Sequence, residues 1–273
     1  MYCLKTSKIR KWGPWLALVL VFSIATSLLS WWQFSRREEA VNKIDLVLEN
    51  YDSAPVPLSE LIWEIDENGN AKSEWQSVLV TGEYLSDYTT LVRNRPLSGQ
   101  PGFLQLVPLR LQDGRILIVE RGWLAGSSDI TTPQSNPLPD SGLKELVVRL
   151  RAPEMDLGKA EVAGQLASIN LDLLVERFSG IGRVIPDYYG RLVSETPGSN
   201  EYPIALPRPS LNEGNHLSYA FQWIIFGLMA FIAFLWAYRN DKRLQLESQG
   251  LIAPKVRKRT LADQDNEIED ASQ

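Results

Sequence analysis

One cysteine and one histidine in 273 residues exclude several kinds of chemistry. A lone cysteine cannot build a disulfide framework, and the pair cannot complete a Cys/His zinc site from this chain alone. Ser/His/Asp and Cys/His catalysis need a histidine beside the nucleophile. Here His216 stands at the edge of an apolar run and Cys3 lies near the start of the chain. Neither glycine-rich phosphate motif is present. Carboxylate pairs stay open, because sequence does not give their separation in space. The expectation is a protein that is not an enzyme. Positive charge is scarce too. The formal net charge is −5, and the only basic cluster is Lys255-Val256-Arg257-Lys258-Arg259, a poor footprint for nucleic acid.

Charge is missing altogether from two long stretches, Trp12 to Phe34 and Leu217 to Tyr238. At 1.5 Å per residue each is long enough to cross the hydrocarbon of a bilayer. Trp12, Trp15, Trp31 and Trp32 mark the ends of the first, and Tyr219, Trp223, Trp236 and Tyr238 those of the second, where amphipathic rings favour the interface. The basic residues before the first run would also suit a cleaved signal peptide. The run is too long for a typical h-region, however, and Trp31-Trp32-Gln33-Phe34 is a poor cleavage site. Lys5, Lys8, Arg10 and Lys11 precede the first span, and Arg239, Lys242 and Arg243 follow the second. The excess of positive charge stays cytoplasmic, so both termini are expected inside and the middle of the chain outside. The expected order is a cytoplasmic N-terminus (1–11), a span (12–34), an outer domain (35–216), a second span (217–238) and a cytoplasmic tail (239–273) whose last, acidic part is disordered.

Residues 36–218 hold 17 Lys and Arg against 26 Asp and Glu, a net charge of −9. Their pattern is mainly β. Between Phe103 and Trp123, the Asp113-Gly114 pair supplies positive φ for a tight hairpin between two apolar runs. Ile116-Leu117-Ile118-Val119 implies burial on both faces, and Pro108, without an N–H, implies an edge or a bulge. Further strands are expected at Gln76–Tyr84, Thr89–Arg93, Leu146–Arg151 and Tyr189–Ser194. One helix has Asn170 as N-cap, Leu171, Leu174, Val175 and Phe178 on one face, and Gly180 at its end. Ser127–Ser141 and Thr196–Pro209 read as loops. The fold class is α+β: two transmembrane helices and a mainly antiparallel barrel or sandwich with one or two helices.

Several residues carry two readings. His216 shares a helical face with Tyr219, Ala220 and Trp223; it suits a haem iron or an interfacial partner, and equally a polar cap at headgroup level. Ser23, Ser27 and Ser30 on one span and Gly227, Ala230, Ala233 and Ala237 on the other allow close helix approach, either to each other or to another membrane protein. Arg93-Asn94-Arg95-Pro96 and Glu120-Arg121-Gly122-Trp123 can line an anionic site, or form solvated strand ends with local ion pairs.

In their order, these residues resemble the surfeit locus protein 1 family, membrane factors that assist assembly of haem-copper cytochrome c oxidase. The resemblance rests on Trp32-Gln33-x-x-Arg36, Gly82-x-Tyr84, Arg95-Pro96, Pro101-Gly102, Val119-Glu120-Arg121-Gly122-Trp123 and Asn215-His216-Leu217-x-Tyr219-Ala220-x-x-Trp223. It implies an inner-membrane assembly factor without enzymatic activity. Its cargo would be haem a, with His216 as iron ligand beside Tyr219 and Trp223. Its partners would be the oxidase's catalytic subunit, haem a synthase and the lipid bilayer. The start of the chain, without an Arg/Ser-rich presequence, implies a bacterial member with its outer domain in the periplasm. A two-span periplasmic ligand sensor or interaction protein would share this topology, but a 35-residue tail has no room for an output domain. A reporter active only outside the cytoplasm, fused at Asn136, is expected to be active; an inactive fusion that is nevertheless produced would reverse the topology.

Overall fold

Helix α1 runs from Cys3 to Asn50, so it continues well past the apolar span. The chain closes with α3, His216–Ser248. The computed structural model describes residues 3–253 apart from 67, 68, 70, 129, 130, 160, 161 and 163, with side chains from Arg10 onward. The disordered tail expected from sequence falls on 254–273, outside the described residues. The chain forms two units, Met1–Glu38 with Gly214–Gln273, and Glu39–Glu213.

In the helical unit both helices are long and apolar enough to cross a membrane. Their outer faces stay apolar, with Val21 64% and Ile232 65% exposed. A surface of that kind is a liability in water and is suited to lipid. The two helices pack on each other through small and polar residues. Thr26, Ser30 and Ala220 are buried. The Ser30 hydroxyl donates to the Ala220 carbonyl at 3.0 Å, and a Cβ on Gly227 would lie 2.9 Å from Thr26 Oγ1. Of the expected small-residue stripes, Ser30 and Gly227 enter this contact while Ser27 is exposed. Farther along, Trp12 meets Phe234 and Tyr238 edge-on, and Lys11 pairs with Asp241 at 2.6 Å.

The other unit is a β domain with eight strands among the described residues: β1 (Val56–Pro57), β2 (Ser77–Tyr84), β3 (Thr90–Val92), β4 (Gly102–Leu111), β5 (Arg115–Ala125), β6 (Leu143–Arg151), β7 (Arg183–Val184) and β8 (Tyr189–Thr196), with α2 at Leu171–Arg177. Five of them close into a ring in the order β2, β6, β8, β5, β4 and back to β2. The architecture is therefore a barrel. Four of its five joins are antiparallel and one, β5 with β8, is parallel. Alternate residues point inward. Val78 and Val80 of β2, Leu109 of β4, Leu117 and Val119 of β5 and Val148 of β6 fill the interior. Ile116 and Ile118 point the opposite way, into a second core under α2 with Leu171, Leu174 and Phe178. All four residues of the 116–119 run are fully buried, as the unbroken apolar pattern implies.

The Asp113-Gly114 turn is present, with Gly114 at φ 84°. Asn170 caps α2, its Oδ1 accepting from the Asp172 N–H at 2.9 Å. Pro108 differs from expectation. Its strand is not an edge, because β5 pairs along one side while β3 and β2 share the other. Pro108 falls in the interval between those two neighbours, where the Leu85 N–H donates to its carbonyl at 2.8 Å. The register shift on β4 and β5 lies at Gln105/Leu106 instead.

The ring closes where β2 meets β4, Gly82 opposite Leu111 and Tyr84 opposite Leu109. A Cβ on Gly82 would stand 2.4 Å from the Arg110 carbonyl oxygen, so any side chain there must push the strands apart. Nothing lies within 4 Å of a Cβ placed on Gly180. Gly82→Ala is expected to destabilise the domain by at least about 2 kcal/mol and Gly180→Ala by less than about 0.5 kcal/mol, measured by urea denaturation of the full chain in detergent. Equal effects would mean that the ring does not depend on this approach.

Candidate functional site

The chain's single histidine begins α3, and it is half-buried. Its Nδ1 lies 2.9 Å from Gln33 Oε1 on α1. The Trp32-Gln33-x-x-Arg36 element and the His216 element, 183 positions apart, thus meet in the helical unit. Trp223 is half-buried one face-repeat along α3, in edge contact with Phe226 at 5.8 Å. Tyr219 is more exposed, at 51%. Trp32 is exposed, with the Arg36 guanidinium 5.9 Å from its ring centre.

The remaining motif residues lie in the β domain, where they are structural. Arg121 is the extra residue where Gln105 pairs with Gly122 and Leu106 with Glu120. The bulge turns its side chain into the barrel, fully buried. There Nη1 donates to Gln105 Oε1 at 3.0 Å and to the Pro137 carbonyl at 2.9 Å. The guanidinium is 5.6 Å from the Tyr84 ring centre and 5.5 Å from that of Tyr202. The Tyr84 hydroxyl donates to Glu195 Oε2 at 3.0 Å, and Lys144 Nζ is 3.6 Å from Glu195 Oε1. Ser199 donates to the same carboxylate. Burial first, and the Glu195 carboxylate second, push the Tyr84 phenol far above its ordinary value, so it remains a donor.

Glu120, one residue earlier, faces the other side of the sheet and is also fully buried. Arg191 donates to its Oε2 at 3.2 and 3.3 Å, while no donor is aligned with Oε1. Arg95 holds Glu154 through Nη1 and Nη2 of its guanidinium, and its backbone carbonyl accepts from Trp123 Nε1 at 2.6 Å. Pro96 follows in the connection between β3 and β4, and Gly102 opens β4 against the Trp123 ring, where a Cβ would come within 2.4 Å. Gly122, at φ 149°, leaves the room in which the Ile204 backbone pairs with Trp123.

The expectation of solvated strand ends at these charges is therefore corrected. Ion pairs are present, but Glu120 and Arg121 are interior, because strand alternation and the bulge send them to opposite buried sides. The sequence reading missed Gln105, Lys144 and Glu195. Gln105 and Lys144 share inward parity with Val107 and Leu146, a signal that could have found them; Glu195 faces inward opposite Leu146 only because the chain bulges at Val193, which no alternation pattern marks. A cleft of about 480 Å³ beside Trp75 and Arg151 is lined by groups already engaged. Arg151 pairs with Glu74 at 2.8 Å and stacks 3.8 Å from the Trp75 ring centre.

Burial outweighs Arg191 at Glu120 and raises its carboxyl above the ordinary range. The folded state then holds this proton more tightly than the unfolded chain, so ionised Glu120 weakens the fold above its raised value. Glu120→Gln is expected to unfold at higher urea than the wild type at neutral pH. The gap should close as pH falls through the raised value towards about 4.3, the ordinary Glu value. A gap that widens on acidification would contradict this.

Comparison with known proteins agrees with the motif geometry. The sequence model of the SURF1 family matches residues 20–228. An uncharacterised SURF1-like protein of Mycobacterium bovis is 30% identical over 250 residues, covering 88% of this chain and 89% of its own. A SURF1-like protein of Rickettsia bellii is 27% identical over 244 residues, 85% of this chain and 92% of its own. One of Dictyostelium discoideum is 25% identical over 133 residues, 47% of each chain. The match takes in the later part of α1, the whole β domain and the start of α3, and the chain belongs to the SURF1 family.

Proposed function

We propose that the protein is a non-enzymatic assembly factor of the bacterial inner membrane that handles haem a on its way to the catalytic subunit of a haem-copper cytochrome c oxidase. The observation that carries this reading is the meeting of His216 with Gln33 at 2.9 Å. Two family elements remote in sequence come together at the one residue of the chain best suited to ligate haem iron. The surroundings fit such a cargo. Gly214, whose φ of 76° favours glycine, lies beside the Nε2 edge, where even a Cβ would make no more than ordinary contact at 3.5 Å. Trp223 and Tyr219 supply flat apolar surface on the same helix. The β domain lies on the periplasmic side in this reading, with Arg121, Lys144 and Glu195 engaged with one another in its interior, and contact with the oxidase subunit or haem a synthase falls to its surface.

The test is to co-express the full chain with a haem a synthesis pathway, purify it in detergent and record its spectrum. Wild-type protein is expected to carry haem, and His216→Ala to lose at least about 10-fold of it. Haem-free wild type, or equal haem in the variant, would remove the ligation claim. Co-purification of the oxidase subunit with both proteins would then favour a factor that holds its client without haem.

A further inference from the structure

We infer that Gln33 is the positioning residue of His216: it fixes the imidazole as the Nδ1–H tautomer and leaves Nε2 as the nitrogen that meets a ligand. This rests on the haem reading for its purpose, but the tautomer is a property of the chain alone. With the amide oriented as in the structure, Gln33 Oε1 can only accept, so Nδ1 at 2.9 Å must donate. In a neutral imidazole the other nitrogen then carries the lone pair. Nε2 has no hydrogen-bond partner among the described residues, and its edge faces Gly214.

The contact is set by helix register as well as by rotamers. Thr26, Ser30 and Gln33 follow one another at spacings of four and three along one face of α1. His216, Ala220 and Gly227 do so at four and seven along α3. The rungs match in reverse order: Thr26 against Gly227, Ser30 donating to Ala220, Gln33 accepting from His216. The lower two rungs are closely packed, so the last one is held at a fixed height. An outer partner on the distal nitrogen is the general device by which proteins orient a ligating histidine and raise its basicity.

The single histidine makes the test direct. Full-length protein labelled with ¹⁵N-histidine, haem-free in detergent, gives the two ring-nitrogen shifts of one residue. Nδ1–H is expected in the wild type and in Gln33→Glu, which keeps the acceptor. In Gln33→Leu the ring should revert towards Nε2–H, the tautomer that unconstrained histidine favours in water. Nε2–H in the wild type, or Nδ1–H persisting in Gln33→Leu, would overturn the inference whatever becomes of haem. Titration with ferric protohaem followed at the Soret band supplies the second arm. Gln33→Leu should weaken binding about 10- to 100-fold, with Gln33→Glu close to the wild type and the iron–histidine stretch of the ferrous form lower in the leucine variant. Unchanged affinity and stretch in Gln33→Leu would overturn the positioning role. Binding that survives His216→Ala would overturn the haem reading, while the nitrogen shifts would still decide for or against Gln33.

Discussion

Three residue pairs between β2 and β4 turn a sheet into a ring, and the interior chemistry of the β domain depends on that closure. An open sheet of this sequence would expose the inward faces of both strands, including Tyr84 and Leu109, to water. Closed, it creates a buried interior in which Arg121, Lys144 and Glu195 must answer one another. Burying such ions carries a penalty of several kcal/mol each, and Arg121 still has Nε and Nη2 without a hydrogen-bond partner. The apolar residues beneath them, each contributing about 1.5–3 kcal/mol on burial, are what allow the barrel to carry this polar end. Gly82 is the smallest part of the arrangement and the least replaceable, since the strands meet where its side chain would be.

The same closure explains why most of the family motif is silent about ligands. Gly82, Tyr84, Arg95, Gly102, Arg121, Gly122 and Trp123 each answer a packing or pairing requirement: a close strand approach, a buried donor, a bulge, a ring stacked on a backbone. Residues spent in this way are committed to the fold, and the two Arg121 nitrogens that lack a hydrogen-bond partner are buried inside the barrel. In the helical unit the balance is reversed. His216 and Gln33 satisfy each other through one nitrogen, and the other nitrogen has no hydrogen-bond partner among the described residues. A resemblance read along the sequence weights all motif positions alike; the geometry separates those that build the domain from those that can act.

What was legible in the sequence follows the range of the interaction concerned. Asp113-Gly114, the 116–119 run and the Asn170 cap are local devices, and each marks its element correctly. The apolar spans announce themselves by length alone. The helix beyond residue 34 was missed because residues 35–50 are rich in charge and their helix is anchored at a distance, Asn50 donating to the carbonyls of Lys72 and Glu74. Ring closure pairs residues across an intervening strand, Tyr84 with Leu109, while the parallel join of β5 to β8 and the meeting of Glu195 with Lys144 and Tyr84 pair residues more than fifty positions apart. No local pattern encodes them. Pro108 shows the limit most plainly: a missing N–H says that a neighbour must be absent at one point, but whether that point is an edge or the gap between two neighbours is decided by the rest of the sheet.

A helix seam suits the orientation of an imidazole for reasons that apply before any ligand is considered. Loop-borne histidines gain a defined tautomer only when several soft dihedrals agree, whereas two packed helices offer fixed heights and faces. Where the surroundings are lipid, water is not available to compete for Nδ1 or for the Gln33 carbonyl, so a neutral hydrogen bond there holds better than it would at an aqueous surface. Such bonds between membrane helices are modest individually, about 0.6–2 kcal/mol. That is too little to pin the helices together and enough to choose between two tautomers of one ring. The packing of Thr26, Ser30, Ala220 and Gly227 fixes where the helices lie, and the Gln33–His216 contact uses that fixed position to decide which nitrogen keeps its lone pair.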